Sequence, residues 1–371
     1  MSKKPNQAES HEPLFHVVKR DGTPFYQSLL VRVAAVSIAL LICSLLAFFL
    51  IKRHPNPLQF LKTLYNGSFD QITKPWWSFG KDVAKLLCLA LAITPAFRMR
   101  FWNLGADGQA LVGALAAAFC AKMIGGAVPG WALLLIMLTT SILAGAVWGV
   151  LPAIFKSIWG TNESLFTLMM NYVATHLVTF ALLGWLVGDG STTLQEIKFG
   201  HLPRVYNEEL LMILISLVLT VLMFIYLNYT KHGYEVSVVG ESENTARYIG
   251  INVKKVTIRT MLLSGVVCGL TGFLIVAAFD HSITANTIGG LGFTAIMVSW
   301  LAKFNPLIMI LTSALIVFLE RGGSHISDTY NTNPAFSGLI VGLILFFIIG
   351  CEFFINYRVQ FRKSKKGGDA K

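Results

Sequence analysis

Charge is scarce in this sequence. Only 13% of its 371 residues are Asp, Glu, Lys or Arg, about half the share of a soluble domain. Together with a mean hydropathy of +0.63, this argues against a soluble fold for the chain as a whole. Acid is scarcer than base, 19 residues against 30, for a net charge of +11. The five cysteines (Cys43, Cys88, Cys120, Cys268 and Cys351) lie in or beside apolar runs. No pair has metal-site spacing and they make no secreted disulfide framework, so they read as small packing residues. The sequence also lacks HExxH, a Walker A lysine loop, GxSxG and any Cys/His ligand set, so no catalytic residue, metal or cofactor is expected. His176 and His325 stand alone and read as packing or loop residues. Residues 1–29 are polar and mixed, and the first apolar run is too long and too far in for a cleavable signal.

What is abundant is apolar sequence in membrane-length runs. The hydrophobic fraction is 54%. The first run, 30–51, has 22 residues, about 33 Å as a helix and enough to span a bilayer. Further segments fall at 82–98, 101–124, 129–150, 165–187, 210–228, 260–279, 288–302, 306–320 and 334–355. The expected fold is therefore all-α: a polytopic transmembrane helical bundle of about ten membrane segments. It reads as one membrane domain, 30–355, between a cytoplasmic tail, 1–29, and a basic cytoplasmic tail, 356–371. Between the segments, 52–81 reads as a loop with a short interfacial helix around Pro57–Tyr65, and 151–164 as a loop, or a loop holding a short helix, that ends in a helix cap at Thr161 or Asn162. The longest internal polar stretch, 229–259, is expected to hold a short helix near 241–249, capped by Ser242 or Asn244 and stopped by Gly250. Residues 321–333 read as loop.

The basic excess fits membrane topology better than nucleic-acid binding. With the amino terminus inside, cytoplasmic pieces hold 19 Lys and Arg and external pieces ten, with Arg32 at the inner edge of the first span. Basic residues favour the cytoplasmic side. Ten spans then return the carboxy terminus to that side.

Polar groups inside the apolar segments are the candidate site. Asn103, Asp107 and Gln109 open the third segment, whose later half is small: Gly113, Ala114, Ala116, Ala117, Ala118. Small faces allow close helix packing in lipid. A carboxylate in a first helical turn is favoured by the exposed amides there, so Asp107 is either a helix-starting residue or the lining of a permeation path. The stretch Asn286–Gly292 is either loop or a broken helix beside a cavity, where polar backbone is tolerated. Ten spans with short loops fit a transporter, a channel or a membrane enzyme, and the polar helix at 241–249 is a candidate docking element for a soluble subunit. An ion-coupled secondary transporter and a non-transporting scaffold are the competing readings.

Five segments carry a family resemblance. WNLGADGQ at 102–109 resembles the "NIGAEGQ" signature of permease subunits of bacterial ABC importers for nucleosides and simple sugars, and ALVGALAAA follows at 110–118. NESLFTLMMNYV at 162–173 resembles "NE…TLMLNYI", and GESENTARYIGINV at 240–253 resembles "G.N..AARYAGI". SGVVCGLTGFLIVA at 264–277, GGLGFTAIMV at 289–298 and NPLIMILTSALIV at 305–317 follow in family order. The wider superfamily includes ribose and branched-chain amino acid permeases. The resemblance implies a type II-like ABC importer permease in a bacterial cytoplasmic (inner) membrane. It implies two cytoplasmic ATPase domains, a second permease subunit (a heterodimer in preference to a homodimer), and a periplasmic or lipid-anchored substrate-binding protein. ATP would be hydrolysed on the partners and not on this chain. By the same resemblance the 241–249 helix couples to the ATPase through Glu241, Asn244, Arg247 and Tyr248. Asn103, Asp107, Gln109, Asn286, Gly289, Gly290 and Phe293 would lie along the translocation pathway. Nucleosides or related purines are the implied cargo, with simple sugars as the alternative. Asp107 departs from the signature glutamate, and Glu241 with Glu243 makes the coupling segment more acidic than the family pattern.

Overall fold

The computed structural model describes residues 15–20, 25–51, 55–69, 75–187, 192–194, 197–203, 208–333 and 335–361. Much of the two expected tails, at 1–14 and 362–371, lies outside the described residues. The chain divides into two compact units, one formed by 1–67 with 322–371 and one by 68–321.

In the first unit, helix α1 (Phe25–Leu50) packs on helix α13 (Ala335–Asn356). Ala35, Cys351 and Ile355 form a small buried cluster with Val31 against it. Strand β1 (Phe15–Lys19) pairs antiparallel with strand β4 (Tyr357–Phe361), Val17 opposite Val359. Sequence expected both stretches to be tail, and β-branched and aromatic residues here make a ribbon instead. Helix α2 (Pro57–Phe69) covers the expected interfacial helix and runs four residues further. It begins on proline, which is pre-organised for a first helical turn.

The second unit holds the helices around the candidate site. They are α3 (Pro75–Arg98), α4 (Ala106–Ile124), α5 (Gly130–Trp159), α6 (Glu163–Ala181), α7 (Glu208–Tyr229), α8 (Lys231–Glu241), α9 (Glu243–Tyr248), α10 (Val253–Leu274) and α11 (Leu291–Leu301). Helix α12 (Pro306–Thr329) begins here and ends in the other unit. Helices α6 and α10 each finish in a five-residue π-turn, Leu182–Leu186 and Ile275–Phe279. Short strands follow these turns, β2 (Thr193–Leu194) and β3 (Ile283–Thr284), and pair antiparallel.

Helix α10 is the axis of this unit. In its most apolar window 78% of residues are buried, against 28% for α6 and α7. Small residues bring its neighbours to backbone contact. A Cβ on Gly145 of α5 would sit 2.5 Å from the Gly265 carbonyl oxygen, and one on Gly113 of α4 would sit 2.8 Å from Gly269 Cα. Ser141 Oγ lies 2.8 Å from the Gly113 carbonyl and 2.7 Å from the Gly269 carbonyl. A single hydroxyl thus ties α5 to both α4 and α10. Dispersion at this spacing replaces the hydrophobic drive that lipid removes. All five cysteines are buried and none is in a disulfide.

Every expected membrane segment coincides with a helix. Seven helices among the described residues are long and apolar enough to cross a bilayer. Among the described residues, α1 is apolar from Val33 to Phe49 and α11 has 11 residues. Helix α3 carries Lys81, Asp82, Lys85 and Arg98, leaving twelve residues (86–97) between the last two charges. Three expected loops prove helical. Helix α5 continues through Pro152 to Trp159, where Gly160 ends it with φ +66°. Helix α12 continues to Thr329 because Arg321, read as the start of a loop, is held by Asp82 at Nε–Oδ2 2.7 Å and by the Ser78 carbonyl at 2.9 Å. The polar stretch 229–259 is helical for most of its length.

Candidate translocation site and coupling surface

The site begins where α3 stops. Arg100 takes a left-handed conformation (φ +59°) and Phe101 N–H reaches the Ala96 carbonyl at 2.9 Å, closing the helix. The chain then runs without regular structure over 101–105 and starts α4 at Ala106. Asn103, fully buried, organises this entry. Its Oδ1 accepts from Gly105 N–H (3.0 Å) and from Gln109 Nε2 (3.2 Å), and its Nδ2 donates to Ser264 Oγ on α10 (3.1 Å). Gly105, the residue before α4, has no capping side chain. The cap comes from α6. Asn171 Oδ1 accepts from Gly108 N–H at 2.9 Å while Asn171 Nδ2 donates to the Leu104 carbonyl at 2.8 Å. Thr167, one turn earlier, accepts from Leu104 N–H at 3.1 Å. Residues four apart share a helix face, so α6 grips the start of α4 at two levels. Gly108 has to be glycine, since a Cβ there would lie 2.8 Å from Asn171 Oδ1.

Asp107 serves a second helix. Its Oδ1 accepts from Gly292 N–H, the second amide of α11, at 2.7 Å. The residue before α11, Gly290 (φ +82°), offers no side-chain cap of its own. A carboxylate at a helix amino terminus pairs with orphan amides and with the positive end of the helix dipole. Asp107 therefore stands in the first turn of α4, the helix-starting place that was one of its two readings, and caps α11. Gly292 is again required, because a Cβ would lie 2.8 Å from Asp107 Oδ1. On the far side of α11, Thr294 Oγ1 donates to Glu320 Oε1 at 3.4 Å.

The expected pathway residues thus separate into two groups. Asn103 and Gln109 sit inside a closed polar network, both almost wholly shielded from solvent. Asn286, Gly289, Gly290 and Phe293 are exposed on the turn before α11 and on its first turn. That turn is tied by threonines: Thr284 N–H donates to Thr287 Oγ1 (2.7 Å) and Asn286 N–H to Thr284 Oγ1 (3.2 Å). Asp107 is the bridge between the groups. Thr167, Asn171 and Ser264 were missed in the sequence, where a hydroxyl or amide in a helix ordinarily bonds its own preceding turn. Their spacing was the available signal, Thr and Asn four apart in an otherwise apolar run.

The expected coupling helix is present in two pieces. Glu241 ends α8, and Ser242 breaks the run in extended conformation before its Oγ accepts from Thr245 N–H at 3.2 Å to cap α9. Gly250 (φ +85°) follows α9. Of the expected contact residues, Asn244, Arg247 and Tyr248 share α9, while Glu241 belongs to its neighbour. Fully buried Ala246 anchors α9 in an apolar cluster with Met99, Phe101, Val239, Val256 and Met261. Its other face is open: Tyr248 is 93% exposed, and Glu243 and Arg247 pair at 3.5 Å along the helix surface. An aromatic ring displayed this fully beside charged groups suits a protein interface. Among the described residues no three His, Cys, Asp or Glu side chains gather as metal ligands.

The chain is 28% identical to the glucose ABC transporter permease protein of Haloferax volcanii over 77% of this chain and 78% of that one. It is 26% identical to the guanosine ABC transporter permease protein of Bacillus subtilis, over 82% and 89% of the two chains. It is 23% identical to the nucleoside ABC transporter permease protein of Lactococcus lactis, over 78% and 83%. The family described as branched-chain amino acid transport system / permease component matches residues 82–349, from within α3 into α13. The protein is therefore a multi-pass membrane protein and a member of that permease family, a conduit subunit with no catalytic chemistry of its own.

Proposed function

We propose that this chain forms half of the translocation pathway of an ATP-driven importer of nucleosides or related purines in a bacterial inner membrane. The observation that carries the reading is α9: a short, separately capped helix, anchored by Ala246, with Asn244, Arg247 and Tyr248 turned outward between apolar helices. A membrane protein with no energy chemistry needs such a surface to receive work from a soluble ATPase. Two cytoplasmic ATPase domains, a second permease, preferably a different chain, and an external substrate-binding protein complete the assembly. In this reading the chain crosses ten times, with α1, α3 and α11 as the three shorter crossings, and both tails are cytoplasmic. The pathway runs past Asp107 and the Asn286–Phe293 turn, with Asn103 and Gln109 behind it as positioning groups.

Nucleoside cargo is supported by the guanosine and nucleoside relatives. It is also supported by the half-exposed indoles of Trp102 and Trp300, stacked with centroids 5.7 Å apart beside Asn103. Stacked aromatic faces suit a planar base. Simple sugars are the second reading, favoured by the glucose relative. Proteoliposomes holding this chain, a second permease, the ATPase and the binding protein are expected to accumulate radiolabelled guanosine only with internal-face ATP. Accumulation without ATP overturns the importer reading, and uptake of glucose in place of guanosine transfers it to sugars.

A further inference from the structure

Beneath α9 lies a cavity of about 140 Å³ that the transport reading does not use. Its wall is drawn from the turn after α3, the end of α5, α9 and the first turn of α10. Four cations line it, Arg100, Lys156, Arg247 and Lys254, against two carboxylates, Glu163 and Glu243. Both carboxylates are taken: Lys156 Nζ lies 2.8 Å from Glu163 and Arg247 Nη2 lies 3.5 Å from Glu243. Among the described residues Arg100 and Lys254 have no carboxylate partner, which leaves two surplus positive charges on a concave wall. A concave wall of one sign focuses its field.

Two further features point the same way. Ser157 Oγ, on the wall, is shielded from solvent and has no hydrogen-bond partner among the described residues. A buried hydroxyl without a partner costs stability unless something fills its place. Val253 and Lys254 open the 22-residue helix α10, so the positive end of that helix faces the cavity. The cavity is roomy enough for a tetrahedral oxyanion with its waters. Free phosphate carries about two negative charges near neutral pH and a lipid phosphodiester one, both within the surplus of two.

We propose that this cavity is an oxyanion site that takes a phosphate group. An anion there joins Arg247 of α9 to Arg100, three residues before Asn103, so it ties the coupling surface to the polar network at the start of α4. Two sources share the chemistry: free phosphate, released by ATP hydrolysis, and the headgroup phosphate of an anionic lipid at the membrane edge. The inference rests on the importer reading only for the side of the membrane on which the cavity opens.

Calorimetric titration of the full chain with inorganic phosphate, in nanodiscs of phosphatidylcholine and at low salt, tests it. Saturable binding is expected, weakened at least tenfold in Arg100→Gln/Lys254→Gln and unchanged in Lys122→Gln. Both substituted side chains are exposed, so the double variant is expected to keep the wild-type thermal midpoint. If it does not, Lys254→Gln alone is expected to weaken binding at least threefold. Repeating the titration in discs containing phosphatidylglycerol separates the sources: a drop in phosphate affinity identifies the lipid headgroup as occupant, and no change identifies the free anion. No binding in phosphatidylcholine discs, or equal binding by wild type and variants, overturns the proposal. The titration needs no ATPase, so its failure leaves the importer reading standing, and failed uptake leaves the anion site standing.

Discussion

Asn103 serves three polar neighbours with one amide group, and each is out of reach of water. Replacing it with leucine strands Gly105 N–H, the Gln109 amide and Ser264 Oγ together. A buried polar group left unpaired costs about 1–3 kcal/mol, so Asn103→Leu is expected to lower the thermal unfolding midpoint sharply. Gln109→Leu is expected to cost less, because Gln109 Oε1 already meets no donor among the described residues. Equal losses for the two variants, measured by fluorescence in the same detergent, sink this account of the network. Gly292→Ala tests the neighbouring bridge. The added methyl meets Asp107 Oδ1 at 2.8 Å and is expected to cut uptake at least tenfold. Asp107→Asn, which keeps an acceptor oxygen, is expected to retain much more uptake than Asp107→Ala. Sequence picked out Asn103, Asp107 and Gln109 because a polar group in an apolar run needs a reason. It did not say that the reason for two of them is internal, since they hold each other and the network reaches its far partner, Ser264, on α10.

Among the elements, α5 and α10 are held by the absence of side chains. Gly145→Val pushes a branched carbon toward the Gly265 carbonyl and Gly269, where a Cβ already sits at 2.5–2.7 Å. Poor recovery of monodisperse protein is expected, assayed by size-exclusion chromatography. By contrast, Arg247→Glu should leave folding intact. The exposed pair with Glu243 one turn away is worth about 0.2–0.5 kcal/mol. Loss of substrate-stimulated ATP hydrolysis in that variant, with normal insertion, is the expected signature of a docking helix. Normal stimulation removes the assignment. Helix positions were legible in the sequence as apolar runs, and so was the α9 cap at Ser242. Helix ends were less so. Arg321 and Gly322 read as a stop because the Asp82 carboxylate and the Ser78 carbonyl, which keep that arginine inside a helix, lie some 240 residues earlier. Pro152 read as a loop residue because only the packed structure supplies the contacts that carry α5 past it.

At the scale of the whole molecule the open question is sidedness, and the buried cysteines make it simple to ask. No native thiol is exposed, so a single new cysteine at Tyr248, 93% exposed, is the one site for a membrane-impermeant maleimide. Labelling is expected in inside-out vesicles and not in intact cells. The reverse pattern inverts the topology and with it the docking surface. The antiparallel pairing of β1 with β4 makes a prediction for the two ends: tags before β1 and after β4 are expected on the same side, as the proposed ten crossings also require.

The carboxylate that α4 lends to α11 makes the two helices co-dependent. A helix that carries its own cap keeps its first turn wherever it swings. Helix α11 has none, so any rearrangement that parts it from α4 must unwind Leu291–Phe293 or drag Asp107 along. Transport, if it works by parting them, would leave a trace in deuterium uptake: three amides that exchange in step with the ATP cycle while the rest of α11 stays protected.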